Sequence, residues 1–128
     1  MAKAKVLTVS CENRPGTLAH LARVVGDAKV NILAFLTTTS EAEGSVQLVV
    51  DNLNKAKKAL DGAGLSYTEA DVLHVELPNL PGALSSFAGK LAAQEINITS
   101  AHATTVKGSK KASAVFAVSD LDKAARVR

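Results

Sequence analysis

The chain has 128 residues, of which 47% are hydrophobic and 3% aromatic, and its formal net charge is +3. These values fit a globular protein of one domain, or of two very small ones, with a core built from Ala, Val, Leu and Ile. A nucleic-acid binder usually combines a dense basic face with stacking aromatic side chains. Neither is visible in this sequence, so nucleic acid is not an expected partner.

The cysteine content and the N-terminus give further limits. Cys11 is the only cysteine, so an internal disulfide is excluded and no metal-type cysteine spacing exists. The first residues, "MAKAKVLTVS", lack the apolar core of a signal peptide, and no apolar run approaches the roughly 20 residues that span a bilayer. We therefore predict a cytoplasmic protein with no metal, no cofactor and no membrane partner.

The first predicted elements are a strand, a turn and a helix. Apolar and polar residues alternate over residues 5–10, which is typical of a strand buried on at least one face. The turn "ENRPG" follows it. Residues 17–28 then carry apolar side chains at helical spacing. The side chains that we expect to point inward from this helix are Leu18, Leu21, Ala22, Val25 and Ala28.

The next elements complete a recognisable unit. Residues 31–39 and 45–50 are predicted strands, and the polar "SEAEG" between them makes a hairpin. A second helix is predicted over residues 54–63, before the chain extends again. Its expected inward residues are Ala56, Ala59, Leu60 and Ala63, and Gly62 and Gly64 end it. The order βαββαβ predicts a ferredoxin-like unit, in which two helices cover one face of four antiparallel strands.

The chain then repeats this unit. "NRPGTL" at residues 13–18 is followed 66 residues later by "NLPGAL" at residues 79–84, and Asn31-Ile32 falls on Asn97-Ile98 at the same distance. Matches at turn and strand positions under one offset indicate a duplication. The second copy is predicted to have strands at 72–77, 97–105 and 112–118, a helix at 83–94 and another starting near Asp120.

These patterns predict an α+β protein of two tandem ferredoxin-like units, residues 1–70 and 71–128. The run "LSYTEADVLHVEL", residues 65–77, contains no Gly or Pro, so we expect the two sheets to be fused into one body. The second unit reaches the end of the sequence in or after its second helix and lacks its last strand. Because unpaired sheet edges are usually covered, we expect a homodimer.

The repeated turn has two possible uses. The first turn of a helix presents unpaired N–H groups and a partial positive charge, which favour a carboxylate or phosphate. Gly permits close approach to the backbone, and an Asn side chain offers a donor and an acceptor, so a free α-amino acid fits such a site. The same residues also serve as ordinary turn and cap residues. A duplication copies either use, so both interpretations stay open here.

The turns "ENRPGTL" and "LPNLPGAL", the strand openings "VNI" and "INI", and the element order together resemble the ACT domain, a small regulatory module that binds amino acids. The resemblance covers nearly the whole chain, and it is greatest to small stand-alone proteins with two tandem ACT units. It implies that units pair and that an effector amino acid lies at the seam, between the turn of one unit and the second strand of its neighbour.

The residues that the resemblance implies for ligand binding come from both copies. They are Asn13, Arg14, Pro15, Gly16, Thr17, Leu18, Asn31 and Ile32 in the first copy, and Asn79, Leu80, Pro81, Gly82, Ala83, Leu84, Asn97 and Ile98 in the second. The first turn is polar and the second apolar, so the first is the favoured site. The Asp that heads the family motif is Asn in both turns, which weakens the contact expected with a ligand ammonium.

No catalytic constellation is visible. The sequence has no Gly-x-Ser-x-Gly, no Gly-rich phosphate loop and no Cys–His arrangement. We therefore predict a non-catalytic, amino-acid-binding regulatory protein that is coupled to a partner enzyme of amino-acid metabolism. The alternative is a structural or protein-interaction module without a small-molecule ligand, and a small enzyme is the weaker third reading.

Overall fold

The computed structural model describes residues 2–40 and 43–127. The chain divides into two compact units, Lys5–Ala70 (the first unit) and Asp71–Arg128 with Met1–Ala4 (the second unit). The start of the chain thus belongs to the second unit, where the Lys3 ammonium pairs with the Asp122 carboxylate. That residues 1–70 and residues 71–128 form two separate domains remains a prediction.

The first unit contains most of one strand, two complete strands and two helices. They are β1 (Ala2–Glu12, from Lys5 onward), α1 (Thr17–Asp27), β2 (Ile32–Ser40), β3 (Glu43–Val50) and α2 (Leu53–Gly62), followed by the start of β4 (Tyr67–Pro78). β3 pairs antiparallel with both β1 and β2. Residues 41 and 42 of the predicted "SEAEG" hairpin lie outside the described residues, but the pairing of β2 with β3 is as expected.

The core of the first unit lies between the sheet and its two helices. Strand alternation turns Leu7 and Val9 to the helices, and the register places Val46 and Leu48 of β3 opposite them. The buried side chains that form this core include Leu7, Val9, Leu21, Val25, Val46, Leu48, Ala56 and Leu60. Burying a side chain the size of Leu contributes about 1.5–3 kcal/mol.

Three residues that the helical spacing placed inward are exposed instead. Leu18 is 41% exposed because it stands in the first turn of α1, where it lines a small cavity. Ala22 is exposed because α1 buries only a narrow i, i+4 stripe, Leu21 and Val25. Ala63 is exposed because α2 ends at Gly62, one residue earlier.

The second unit repeats the same order of elements. It contains β4, α3 (Ala83–Ala93), β5 (Ile98–Thr105), β6 (Lys111–Val118) and the short α4 (Leu121–Ala125). β6 pairs antiparallel with β4 and β5. The extended run predicted at residues 65–77 is one strand, β4. The structure thus confirms the α+β class and the antiparallel pairing.

A pair of aromatic rings anchors the core of the second unit. The rings of Phe87 and Phe116 have centroids 5.0 Å apart at an angle of 46°, a favourable tilted arrangement. The buried side chains around them are Leu73, Val75, Leu91, Ile96, Ala114 and Ala124. Within the described part of the chain, no helix is long and apolar enough to cross a membrane.

Candidate functional site

Each Asn-x-Pro-Gly turn is a tight backbone turn that leads into a helix. The N–H of Thr17 donates to the Arg14 carbonyl at 3.4 Å, and in the second copy the N–H of Ala83 donates to the Leu80 carbonyl at 3.2 Å. The glycines have φ of 89° and 87°, as position i+2 of a type II turn requires. Pro–Gly is therefore first of all a conformational requirement of this turn.

The helices that begin at these turns have no side-chain cap. The cap positions of α1 and α3 are Gly16 and Gly82, and neither helix start receives a hydrogen bond from a capping side chain. In contrast, Asn52 and Asp120 cap α2 and α4 through the N–H groups of Lys55 and Lys123. The first turns of α1 and α3 thus have backbone N–H groups that could donate hydrogen bonds to an anion.

The cavity at the first turn is small, and the charged residues Glu12 and Arg14 are among those that line it. Its volume is about 100 Å³. The mouth carries the exposed ion pair between Arg14 Nε and Glu12 Oε2, which are 3.1 Å apart. The cavity is lined by the turn and α1 residues Cys11, Glu12, Asn13, Arg14, Thr17 and Leu18, and by Thr37, Thr39, Gly44 and Val46 of the sheet. A groove of about 500 Å³ borders the same turn and is lined by Pro15, Gly16, His20 and Leu65, and by Cys11, Glu12, Arg14 and Thr17, which also line the small cavity.

The cavity at the second turn is larger and mainly apolar. Its volume is about 400 Å³. Leu80 and Leu84 stand at its rim and are 68% and 60% exposed. It is lined by Leu77, Pro78, Asn79, Leu80, Ala83 and Leu84 of the turn region and by Ala101, His102, Ala103, Ala112, Ala114 and Phe116 of the sheet.

Asn79 fixes the second turn to the neighbouring hairpin. Its side-chain amide donates to the Ser109 carbonyl at 3.0 Å, and its backbone N–H donates to the Lys110 carbonyl at 2.9 Å. The part of the chain that the structure describes supplies no donor to its Oδ1. The amide oxygen is therefore an acceptor that a ligand ammonium could use.

The two strand openings lie at the far end of the sheet from the turns. β1 ends where Glu12 faces Glu43, whereas β2 begins where Ile32 faces Val50. The N–H of Asn31 donates to Asp51 Oδ1, and that of Asn97 donates to Ser119 Oγ, each at 2.9 Å. Asn31, Ile32, Asn97 and Ile98 thus do not meet the turn of their own unit, and their predicted role opposite a neighbour's turn stays a prediction.

Sequence reasoning did not identify the residues on the floor of the larger cavity. Ala101, Ala103, Ala112 and Ala114 are common strand residues with no chemical signature. The fixed offset of the repeat offered one signal, because it pairs Leu77 with Cys11 and Ala103 with Thr37. Among the residues with described positions, no group of three or more His, Cys, Asp or Glu is placed to hold a metal ion.

His102 is a half-buried residue on β5. Its Nε2 is buried and has no hydrogen-bond partner among the described residues. Across Val115 in the sheet register stands His74, whose Nε2 lies 2.6 Å from Ser113 Oγ. Burial lowers the pKa of His102 below its ordinary value, because the charged imidazolium is poorly solvated there.

This pKa shift predicts a loss of stability in mild acid. Since the folded protein binds the His102 proton less readily than the unfolded chain, stability falls as the pH drops below about 6.5. We expect wild type to lose more unfolding free energy than His102→Gln between about pH 7.5 and about pH 5.5 in urea titrations. Equal losses in the two proteins would show that His102 does not contribute.

The order βαββ followed by a helix, seen in both units, defines the class of protein: an α+β fold of the ferredoxin-like type. The sequence of residues 5–61 matches the model of the ACT domain family. This match agrees with the ACT resemblance predicted from the sequence, over the first copy of the repeat.

Several solved structures resemble this chain. Protein BT0572 from Bacteroides thetaiotaomicron has a TM-score of 0.90 and 28% identity over 96% of this chain and 84% of its own. The ligand-free regulatory subunit of aspartate kinase from Thermus thermophilus has a TM-score of 0.69 and 14% identity, covering 89% of this chain and 82% of its own. The aspartokinase α and β subunits have a TM-score of 0.64 and 18% identity, covering 89% and 81%. The last two, at low identity, support the fold alone. A comparison with curated proteins found no match.

Proposed function

We propose that this protein is a non-catalytic regulatory protein that binds an amino acid at its Asn-x-Pro-Gly turns. The observation that carries the proposal is the pair of uncapped helix starts, at Gly16 and Gly82, each next to a cavity. Exposed N–H groups at a helix start can bind a carboxylate, and an amide oxygen such as that of Asn79 can bind an ammonium. A cavity beside them receives the side chain.

The ACT match supports a regulatory role. Residues 5–61 match a family of regulatory modules, and one structure with the same fold is a regulatory subunit of aspartate kinase. We propose that the output is read by a partner enzyme of amino-acid metabolism, and that a homodimer lets an ACT unit of a second copy complete each turn site. Coupling between such sites is typically about 1–3 kcal/mol.

A thermal-shift screen with the twenty proteinogenic amino acids tests the proposal. We expect one or a few of them to raise the melting temperature, since a ligand that binds only the folded state stabilises it. The concentration should be ~10 mM, above the weak end of the usual effector affinities. The absence of a response to every amino acid at this concentration would contradict the proposal.

A protein-interaction module is the second candidate, and one surface favours it. β2 pairs with β3 and with no other described strand of the first unit, and its outer residues Leu33 and Phe35 are 51% and 56% exposed. An open strand edge with apolar side chains is suited to pairing with another chain. Light scattering at micromolar concentration, with and without amino acids, would show whether self-association needs a ligand.

A further inference from the structure

The two turn cavities occupy the same place in the repeat, so they can be compared residue by residue. Leu7 and Leu48 pair across the sheet in the first unit as Leu73 and Phe116 do in the second. The same pairing aligns Phe35 on β2 with Ala101 on β5, because Phe35 faces Leu48 and Ala101 faces Phe116.

At three sheet positions in or next to the cavities the second unit has a smaller side chain than the first, whereas Ala112 of the second cavity replaces Gly44 of the first. At equivalent positions of the two sheets, the second unit has Ala101 where the first has Phe35, Ala103 where it has Thr37, and Ala114 where it has Val46. The second cavity consequently reaches one residue pair further along the sheet, as far as Ala101 and Phe116. In the first unit the cavity stops at Thr37 and Val46.

This difference changes what each cavity can hold. The second cavity measures about 400 Å³, within the range of about 300–1,000 Å³ usual for small-molecule sites, whereas its counterpart in the first unit measures about 100 Å³. The first turn also borders a groove of about 500 Å³, whose lining includes Glu12, Arg14 and His20, so the two turns differ in the chemistry of their lining and not in size alone. The polar mouth of the first cavity, with Glu12 and Arg14, is replaced by Pro78 and Leu80 in the second. Most residues that line the second cavity are apolar, so an apolar ligand side chain would displace water from few polar groups there.

We infer that the second unit holds the effector site, that this site selects an amino acid with an aliphatic or aromatic side chain, and that Ala101 determines the selection. The inference rests on the proposed function, which it narrows. It also differs from the expectation drawn from the sequence, which favoured the polar first turn as the ligand site. The residue at the Phe35/Ala101 position sets how far the cavity extends.

The test uses the full chain and isothermal titration with four probes: L-leucine, L-phenylalanine, L-serine and L-aspartate. Wild type should bind leucine or phenylalanine more tightly than serine and aspartate. Ala101→Phe should weaken that binding by at least about tenfold, since a lost apolar pocket commonly changes affinity by this much. The variant should fold, because Phe35 already occupies the equivalent position of the first unit. If it does not fold, Ala114→Val, which introduces the Val46 side chain, gives the same readout.

The control is Gly89→Ala, an exposed position of α3 that does not line the second cavity, and it should leave the affinity for the apolar probes within about twofold of wild type. Binding of serine or aspartate alone would overturn the inference but leave the proposed function standing. Leucine binding that Ala101→Phe does not change would also overturn it. If none of the four probes binds, the inference is overturned, and if none of the twenty amino acids raises the melting temperature in the thermal-shift screen, the proposed function fails as well.

Discussion

The Phe116→Ala protein is expected to lose about 3–5 kcal/mol of unfolding free energy, the usual cost of truncating a buried Phe. Phe116 is among the largest fully buried side chains of the described chain, and its ring packs on Phe87. Its removal forfeits both the apolar burial and the ring contact, and it opens a void between β6 and α3. Urea unfolding followed by circular dichroism measures the loss.

Phe35→Ala removes the same atoms from a side chain that is 56% exposed. Its cost should be no more than about 1 kcal/mol, because exposed positions leave little cavity and little desolvation to lose. If the two alanine variants were equally destabilised, the second-unit core would not be organised around Phe116 as described.

The second large effect is expected from Gly16→Val and Gly82→Val, each of which should destabilise the protein by about 1–3 kcal/mol. An added Cβ at either glycine meets no atom within 4 Å, so the cost comes from the backbone and not from a clash. The φ values of 89° and 87° lie where a β-branched residue is strained. Thermal or urea unfolding of each variant measures the effect.

Gly89→Ala is the matched control for the glycine variants. Gly89 lies inside α3, and it also has open space where a Cβ would be added. Because alanine is the better helix former, this change should stabilise the protein by about 0.5–1 kcal/mol. A Val at Gly16 or Gly82 that is tolerated as well as this Ala would contradict the assigned turn conformation.

Much of the fold could be predicted from local patterns. The alternation of apolar and polar residues over residues 5–10 was enough to predict that Leu7 and Val9 point to the same face of the strand. The Pro–Gly pairs were enough to predict where α1 and α3 begin. The errors occurred where tertiary packing decides burial. Leu18 has the spacing of a core residue, but the first turn of α1 lies beside a cavity, and periodicity alone contains no information on what an element packs against.

Only the turns of the candidate site could be predicted from the sequence. A turn that needs φ > 0 leaves a direct mark in the sequence, so both turns could be found and the ACT resemblance could be stated from them. The floor of the cavity leaves no such mark. It consists of alanines on two strands, whose significance appears only when their partners across the sheet are known.

The sequence by itself thus determined the duplication, the turn that opens each first helix, and the resemblance to ACT domains, because each depends on residues near one another in the chain. Only the tertiary structure decided that the two turn cavities differ in size. The offset of 66 residues holds as far as β5, but the longer second hairpin aligns Val46 with Ala114, 68 residues later. Pairing across β6 therefore sets which side chains share a cavity, and that register is a property of the folded sheet.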